Sequence, residues 1–191
     1  MEGKTTKLSA VNLMLATIGE APIPALPSTV PEAIEAERVL ETVNRVVQIE
    51  GRCNNRLFNI ALTPSPSTHK ISVSSATLGF PLLYIESADG FYNFTTRGDY
   101  LYDILTNTEL FYFPVSVNMI RMFEFEDLPE AFRNYIAIKA TRVFQAQILS
   151  SSEMEKFTAD DEYQARSVAM QHYFRSNRMR LVSPYKARGR L

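Results

Sequence analysis

LSAVNLMLATIGEAPI, residues Leu8 to Ile23, fixes where the first helix starts, where it stops and which way the chain leaves it. Leu8, Val11, Leu15 and Ile18 recur at steps of three and four, which on a 3.6-residue helix aligns them along one face. Gly19 follows the last of them. A glycine there takes the left-handed C-cap conformation, and Pro22 and Pro24 lack the N–H groups needed to resume the helix. The chain must therefore turn away at Gly19 and bury the apolar face against elements that come later. Asn12 sits among these apolar residues and reads as an exposed or locally capped polar side chain.

Outward from this corner, Thr29 with Glu32 has the form of a capping box opening a second helix. Its apolar stripe is Ala36, Val39, Leu40, Val43, Val46 and Val47, and Gly51 ends it. Beyond Gly51 the period falls from 3.6 to two. Leu57 to Leu62 and Lys70 to Ser74 read as strands, as do Leu82 to Glu86 and Phe91 to Thr95 on either side of an Asp89-Gly90 turn. A turn at Arg97-Gly98-Asp99, a strand at Tyr100 to Ile104, a turn at Thr106-Asn107 and a strand at Val115 to Phe125 complete an antiparallel meander.

Helical spacing returns at Asp127. Asp127 and Glu130 form an acidic capping box, Pro129 lies in the first turn, and Phe132, Ile136, Ala140, Val143 and Ile148 make the core stripe to about Leu149. The Ser150 to Glu153 run breaks and recaps the chain, and a fourth helix follows through Phe157, Ala165, Val168 and His172 to about Arg178. Its first half is acidic, with Glu153, Glu155, Asp160, Asp161 and Glu162 against Lys156. From Arg175 the sign reverses, with Arg175, Arg178, Arg180, Lys186, Arg188 and Arg190 and no acid. That end is a basic tail with too few apolar residues to fold alone.

The expected class is thus α+β: a four-helix bundle of N- and C-terminal helices with an inserted antiparallel β-meander subdomain. The corresponding divisions are residues 1–52 and 127–180 for the helices, 53–126 for the β insertion and 181–191 for the extended basic tail. A chain of 191 residues, 46% hydrophobic, is large enough for one solid core or two coupled ones.

Composition excludes several functions. The net charge of −1 gives no overall attraction to nucleic acid or an acidic membrane. One cysteine, Cys53, permits no intrachain disulfide and reads as an inert thiol beside a turn, and with His69 and His172 alone no Cys/His zinc site is available. Both histidines read as packing or interface residues. Lys4 and Lys7 before an apolar run imitate a secretory leader, but Ser9, Asn12 and Thr17 interrupt the run at helical spacing. No stretch reaches the 18 apolar residues of a membrane span, so the chain is expected to remain in the cytoplasm unless assembly carries it out. There is no glycine-rich phosphate loop, no G-x-S-x-G elbow and no H-E-x-x-H, and no cofactor is expected. The one acid cluster, Glu124, Glu126, Asp127 and Glu130, belongs to a strand end and a helix cap, where capping and solvation account for it.

Aromatics concentrate in the β region, where more than half of the chain's 21 Phe and Tyr lie between Phe80 and Phe125. Either they pair across strands in the core, or some form an exposed interface. Phe111, Tyr112 and Phe113 are the candidate exposed cluster, because consecutive residues cannot all face one side of a strand.

Three stretches together resemble one family: LSAVNLMLATIGEAPI, RGDYLYD from Arg97 to Asp103, and VNMIRMFEFEDLPEAFRNYIAIKATRVF from Val117 to Phe144. They are similar to the tail tubular protein A family, the head-to-tail adaptors of short-tailed bacteriophages. The likeness covers nearly the whole chain and is weakest at Thr63 to Gly79 and after Phe174. It implies a structural virion protein, assembled in the bacterial host cytoplasm, that forms a dodecameric ring beneath the portal. Its partners would be the portal above, the tubular nozzle (tail tubular protein B) below and tail fibres around it, with DNA leaving through the channel and no membrane engaged. On that reading Arg175, Arg178, Arg180, Lys186, Arg188 and Arg190 are candidate portal contacts, and Phe111, Tyr112 and Phe113 a subunit or nozzle interface. Glu153, Glu155, Asp160, Asp161 and Glu162 are then a channel lining that would not trap DNA. The competing class is an enzyme, a virion-associated glycan hydrolase working through the Glu124 to Glu130 cluster.

Overall fold

A computed structural model describes residues 4–148 and 159–177. The opening stretch folds as helix α1, Lys7–Thr17. Thr6 and Ser9 close a reciprocal capping box at its start: the Thr6 hydroxyl accepts from the Ser9 N–H at 3.1 Å and the Ser9 hydroxyl from the Thr6 N–H at 2.8 Å. At its end Gly19 has φ +85°, and the Glu20 N–H reaches back to the Leu15 carbonyl at 3.0 Å. That six-to-one bond is the Schellman stop the glycine was expected to provide. Ala10, Val11, Met14 and Leu15 are buried.

Asn12 is not a merely exposed or capped polar residue. Its side-chain amide takes both main-chain groups of Ile23, accepting from the N–H at 2.8 Å and donating to the carbonyl at 3.0 Å. The chain that Gly19 turns away is thereby pinned back onto the helix it left. Asn12→Ala leaves two part-buried main-chain groups without those partners, and a loss of about 1–3 kcal/mol is expected. Urea unfolding measures it; an unchanged midpoint and slope would show the clamp to be idle.

Helix α2 is Pro31–Gln48. The Thr29–Glu32 capping box does not form: the N-cap is Val30, without a side-chain cap, and Pro31 occupies the first helical position. Proline forces the residue before it into extended backbone, so the helix starts one residue too late for Thr29 to cap it. Ala36, Val39, Leu40, Val43 and Val47 are buried as expected and Ala33 joins them, while Val46 is exposed.

The β region contains β1 (Arg56–Leu62), a single helical turn α3 (Ser75–Leu78), β2 (Leu82–Ser87), β3 (Phe94–Arg97), β4 (Tyr100–Asp103) and β5 (Val115–Arg121). Its strands are not a meander. They form one three-stranded antiparallel sheet in the order β1-β5-β2 and a separate β3-β4 hairpin. The last strand lies between the first two, with its backbone paired along both edges and its Val115, Val117, Met119 and Ile120 buried. The Asp89-Gly90 turn forms, with Asp89 accepting from the Phe91 N–H at 3.0 Å, but the flanking strands pair elsewhere. The tight hairpin is at Gly98-Asp99, between Arg97 and Tyr100, with Gly98 at φ +58°. Lys70 to Ser74 contributes one bridge, Ser72 to Tyr100, and buries Ile71 and Val73 as its alternation required.

Helix α4 (Glu130–Ile148) carries Phe132, Tyr135, Ile136, Ala140 and Phe144 into the core. The class is α+β, but the four long helices are not equivalent members of a bundle. α1, α2 and α4 pack on one another, and α5 (Ala159–Ser176) lies on α4. Among the described residues α5 buries Ala165 and Ala169, while Val168 is exposed, so the close approach is made through methyl groups. Val143 is half-buried and Ile148 exposed; Phe157 lies outside the described residues. The helices share one apolar core and the strands another, the second built on Ile71, Val73, Phe94, Leu101, Val117 and Met119.

Candidate docking surfaces

Among the described residues, the two most exposed large apolar side chains, Phe91 and Phe113, lie in the loops around β3 and β4. The triplet Phe111-Tyr112-Phe113 is divided by the fold. Phe111 is 6% exposed, edge-on to Phe94 with centroids 6.0 Å apart, and belongs to the β core; it is not a surface residue. Tyr112 and Phe113 are 68% and 79% exposed. Tyr112 leans on His69, centroids 4.9 Å apart, and the Phe111 N–H donates to the His69 carbonyl at 2.7 Å, so this stretch is held in place while its rings stay open.

Phe91, Ile104 and Leu105 are exposed alongside and were not singled out in the sequence. Both loops bearing them hang from Asp103, which is 1% exposed. One of its oxygens accepts from the N–H groups of Asn93 at 3.1 Å and Leu105 at 3.2 Å; the other accepts from the N–H of Thr106 at 3.3 Å and from its hydroxyl. Burial alone would raise this carboxyl's pKa, but the four donors outweigh it and hold the pKa below the ordinary aspartate value. The visible signal for such an anchor was aspartate three residues before threonine at the mouth of a loop, the pattern of a side chain closing its own turn.

The acidic candidates on α5 separate as well. Asp160 is exposed and Asp161 half-buried. The Glu162 side chain is 15% exposed and bound to Arg142 at 2.6 Å and Lys139 at 3.6 Å, an α4–α5 staple rather than an open carboxylate. Glu153 and Glu155 lie outside the described residues, as do Arg178, Arg180, Lys186, Arg188 and Arg190 of the basic set. Arg175 is exposed in the last turn of α5, where a cation suits the helix dipole.

The Glu124 to Glu130 cluster is largely committed to the chain's own N-terminal stretch. Glu126 accepts from the Lys7 N–H at 3.0 Å, at the start of α1. Glu130 accepts from the Thr5 N–H at 3.0 Å and the Thr5 hydroxyl at 2.6 Å, and pairs with Arg133 at 2.8 Å. Burial opposes its charge, yet Thr5 and Arg133 hold its pKa below the usual carboxylate range. The expected Asp127–Glu130 capping box does not form: the carbonyl that opens α4 belongs to Pro129, while Asp127 ends a 3-10 turn at Phe125–Asp127 and Glu130 is engaged with Thr5. Glu124 and Glu126 do line a groove of ≈ 470 Å³, but Lys7, Arg38 and Arg45 share it. The two-carboxylate arrangement of a glycosidase, facing across an open cleft, is not made by Glu126 and Glu130.

Cys53 is buried in the helical core, and burial, with Glu50 nearby, pushes its thiol up to about 12, so it is inert at neutral pH. His172 is exposed and stands edge-on to Phe132, centroids 6.5 Å apart. Among the described residues no group of three His, Cys, Asp or Glu could hold a metal, and no helix is long and apolar enough to cross a membrane.

Two small antiparallel sheets, helices packed beside them, acids engaged by the chain's own N–H and cationic groups, and apolar rings held outward on anchored loops are the attributes of an assembly subunit. The match of a family model, tail tubular protein, to residues 8–179 specifies which: the chain belongs to the tail tubular protein family. It is a structural protein of the bacteriophage tail, part of the virion, and a member of tail complexes. No curated protein matches the sequence.

Proposed function

We propose that the chain is the head-to-tail adaptor of a short-tailed bacteriophage. Copies close into a dodecameric ring between portal and nozzle, tail fibres dock around it, and DNA is ejected through the channel without sequence-specific contact. Residues 1–52 and 127–180 supply the helical part of each subunit and 53–126 the inserted β part. The observation that supports this reading most is a family match spanning nearly the whole chain, from Leu8 to Met179, joined by outward-held rings at Phe91, Tyr112 and Phe113. Those rings are the subunit or nozzle contacts, since Tyr and Phe are enriched where interfaces exclude water.

Arg175, Arg178, Arg180, Lys186, Arg188 and Arg190 form a strap onto the portal, and Glu153, Glu155, Asp160 and Asp161 face the channel, where negative charge repels phosphate. Negative-stain images of the purified chain, alone and mixed with portal, are expected to show rings; single particles under both conditions overturn the reading. Truncation after Ser183 removes Lys186, Arg188 and Arg190 and is expected to weaken portal binding roughly tenfold or more at low salt. Undiminished binding removes the strap while leaving the ring in place.

A further inference from the structure

The helical and β cores communicate through two passages, residues 49–55 and 122–129, and both run through one patch of buried amides. Gln48, the last residue of α2, is fully buried and holds Phe123 by both main-chain groups, accepting from its N–H at 2.8 Å and donating to its carbonyl at 2.9 Å. The same amide nitrogen donates to Asn44 Oδ1 at 2.9 Å, which fixes the rotamer of Gln48 from within the helix. Asn55, equally buried, completes the stitch on the other passage. Its Nδ2 donates to the main-chain carbonyls of Gln48 and Arg121, each at 2.9 Å, and its main-chain carbonyl accepts from the Arg121 N–H at 3.0 Å. Between them Gly51, at φ +69°, presses so closely on β5 that a Cβ there would sit 2.9 Å from Ile120 Cδ1.

A hinge needs a few residues whose dihedral angles can change without breaking buried bonds. Here both routes between the cores are crossed by such bonds: swinging the β strands against the helices would break the Asn55 bond to the Gln48 carbonyl and leave both Phe123 main-chain groups without their Gln48 partner. Buried amides left unsatisfied are costly, so the open arrangement is sparsely populated. We infer that this joint is a rigid coupling, closed by Gln48 and Asn55, which carries the β region as a fixed arm of the helices. The loops with Phe91 and Tyr112 are then presented at constant spacing from α2 and α5, and any rearrangement during assembly must occur between subunits or in the loops. The inference rests on the joint alone and is independent of what the chain docks to.

Spin labels on Thr42→Cys of α2 and Thr96→Cys of β3, both exposed positions, report the distance between the two cores. Cys53 is buried and its thiol pushed up to about 12, so it stays unlabelled in the folded protein at neutral pH. The wild-type background is expected to give one narrow distance distribution. Gln48→Ala is expected to broaden it at least about twofold or split it, with helical circular dichroism retained. Gln48→Glu keeps the acceptor for the Phe123 N–H, loses the donor to its carbonyl, and is expected to fall between the two; it carries the test if the alanine variant does not fold. Asn12→Ala, which removes a similar two-bond clamp lying wholly among the helices, is expected to leave the width unchanged. A broad or two-peaked distribution in the wild-type background, or unchanged width in both Gln48 variants, overturns the coupling.

Discussion

Asp103→Ala is expected to destabilise the chain by about 3 kcal/mol, because four donors aimed at one buried carboxylate lose their acceptor together. Three of those donors are main-chain N–H groups on two different loops, so a single replacement loosens both. For a domain of this size the loss corresponds to a fall in Tm of roughly 6–12 °C. Asp103→Asn keeps the shape but must turn NH₂ donors toward N–H donors, and should recover less than half of the stability. The pH dependence has a definite sign. The folded carboxyl has a pKa below that of an unfolded aspartate, about 3.9, so the unfolded chain binds the proton first. Its contribution is therefore complete above about pH 5 and is lost as pH falls through the folded pKa. Denaturant midpoints of wild type and Asp103→Ala should converge on acidification; a constant gap down to about pH 2 would show that the charge of Asp103 is not what holds the loops.

That anchor illustrates what the chain discloses before folding and what it withholds. Helices were legible wherever a 3.6-residue stripe ended at a local stop, as α1 does at Gly19. Strands were legible as segments, because alternation at Ile71 and Val73 or at Val115, Val117 and Met119 is local too. Their order was not, since β5 enters between β1 and β2 across more than fifty residues, and no local pattern encodes which edge it will fill. Asp89-Gly90 is a good turn that happens not to join paired strands. Side chains with distant partners were hidden for the same reason. Asn12, eleven residues from Ile23, and Gln48, 75 from Phe123, look in sequence like any polar residue of a helix. Glu162 looked like one more acid in an acidic run until Arg142 and Lys139 came up beside it. At the docking surface three consecutive aromatics cannot share a side, but which one turns inward depends on where Phe94 lies, and no local pattern gives that.

The division of that triplet makes the strongest functional prediction. Tyr112→Ser with Phe113→Ser removes two rings that are mostly in water already, so the monomer's Tm should move by no more than about 1–2 °C. Phe111→Ser, one residue away, empties a ring-sized space beside Phe94 and buries a hydroxyl, and should cost about 3–5 kcal/mol. If the exposed rings are interface anchors, each is worth about 2–4 kcal/mol of association, and removing both should weaken subunit or nozzle contact by a factor of roughly 10³ or more. Sedimentation of the chain alone and of mixtures with the nozzle protein distinguishes the two contacts. Loss of rings in the first places the patch between copies; loss of co-sedimentation with rings intact places it against the nozzle. Normal assembly of both would mean that Tyr112 and Phe113 are exposed for no reason connected with either contact. The stability of the double variant is what makes the result readable, since the interface term is measured on a monomer whose core, unlike that of Phe111→Ser, has not been touched.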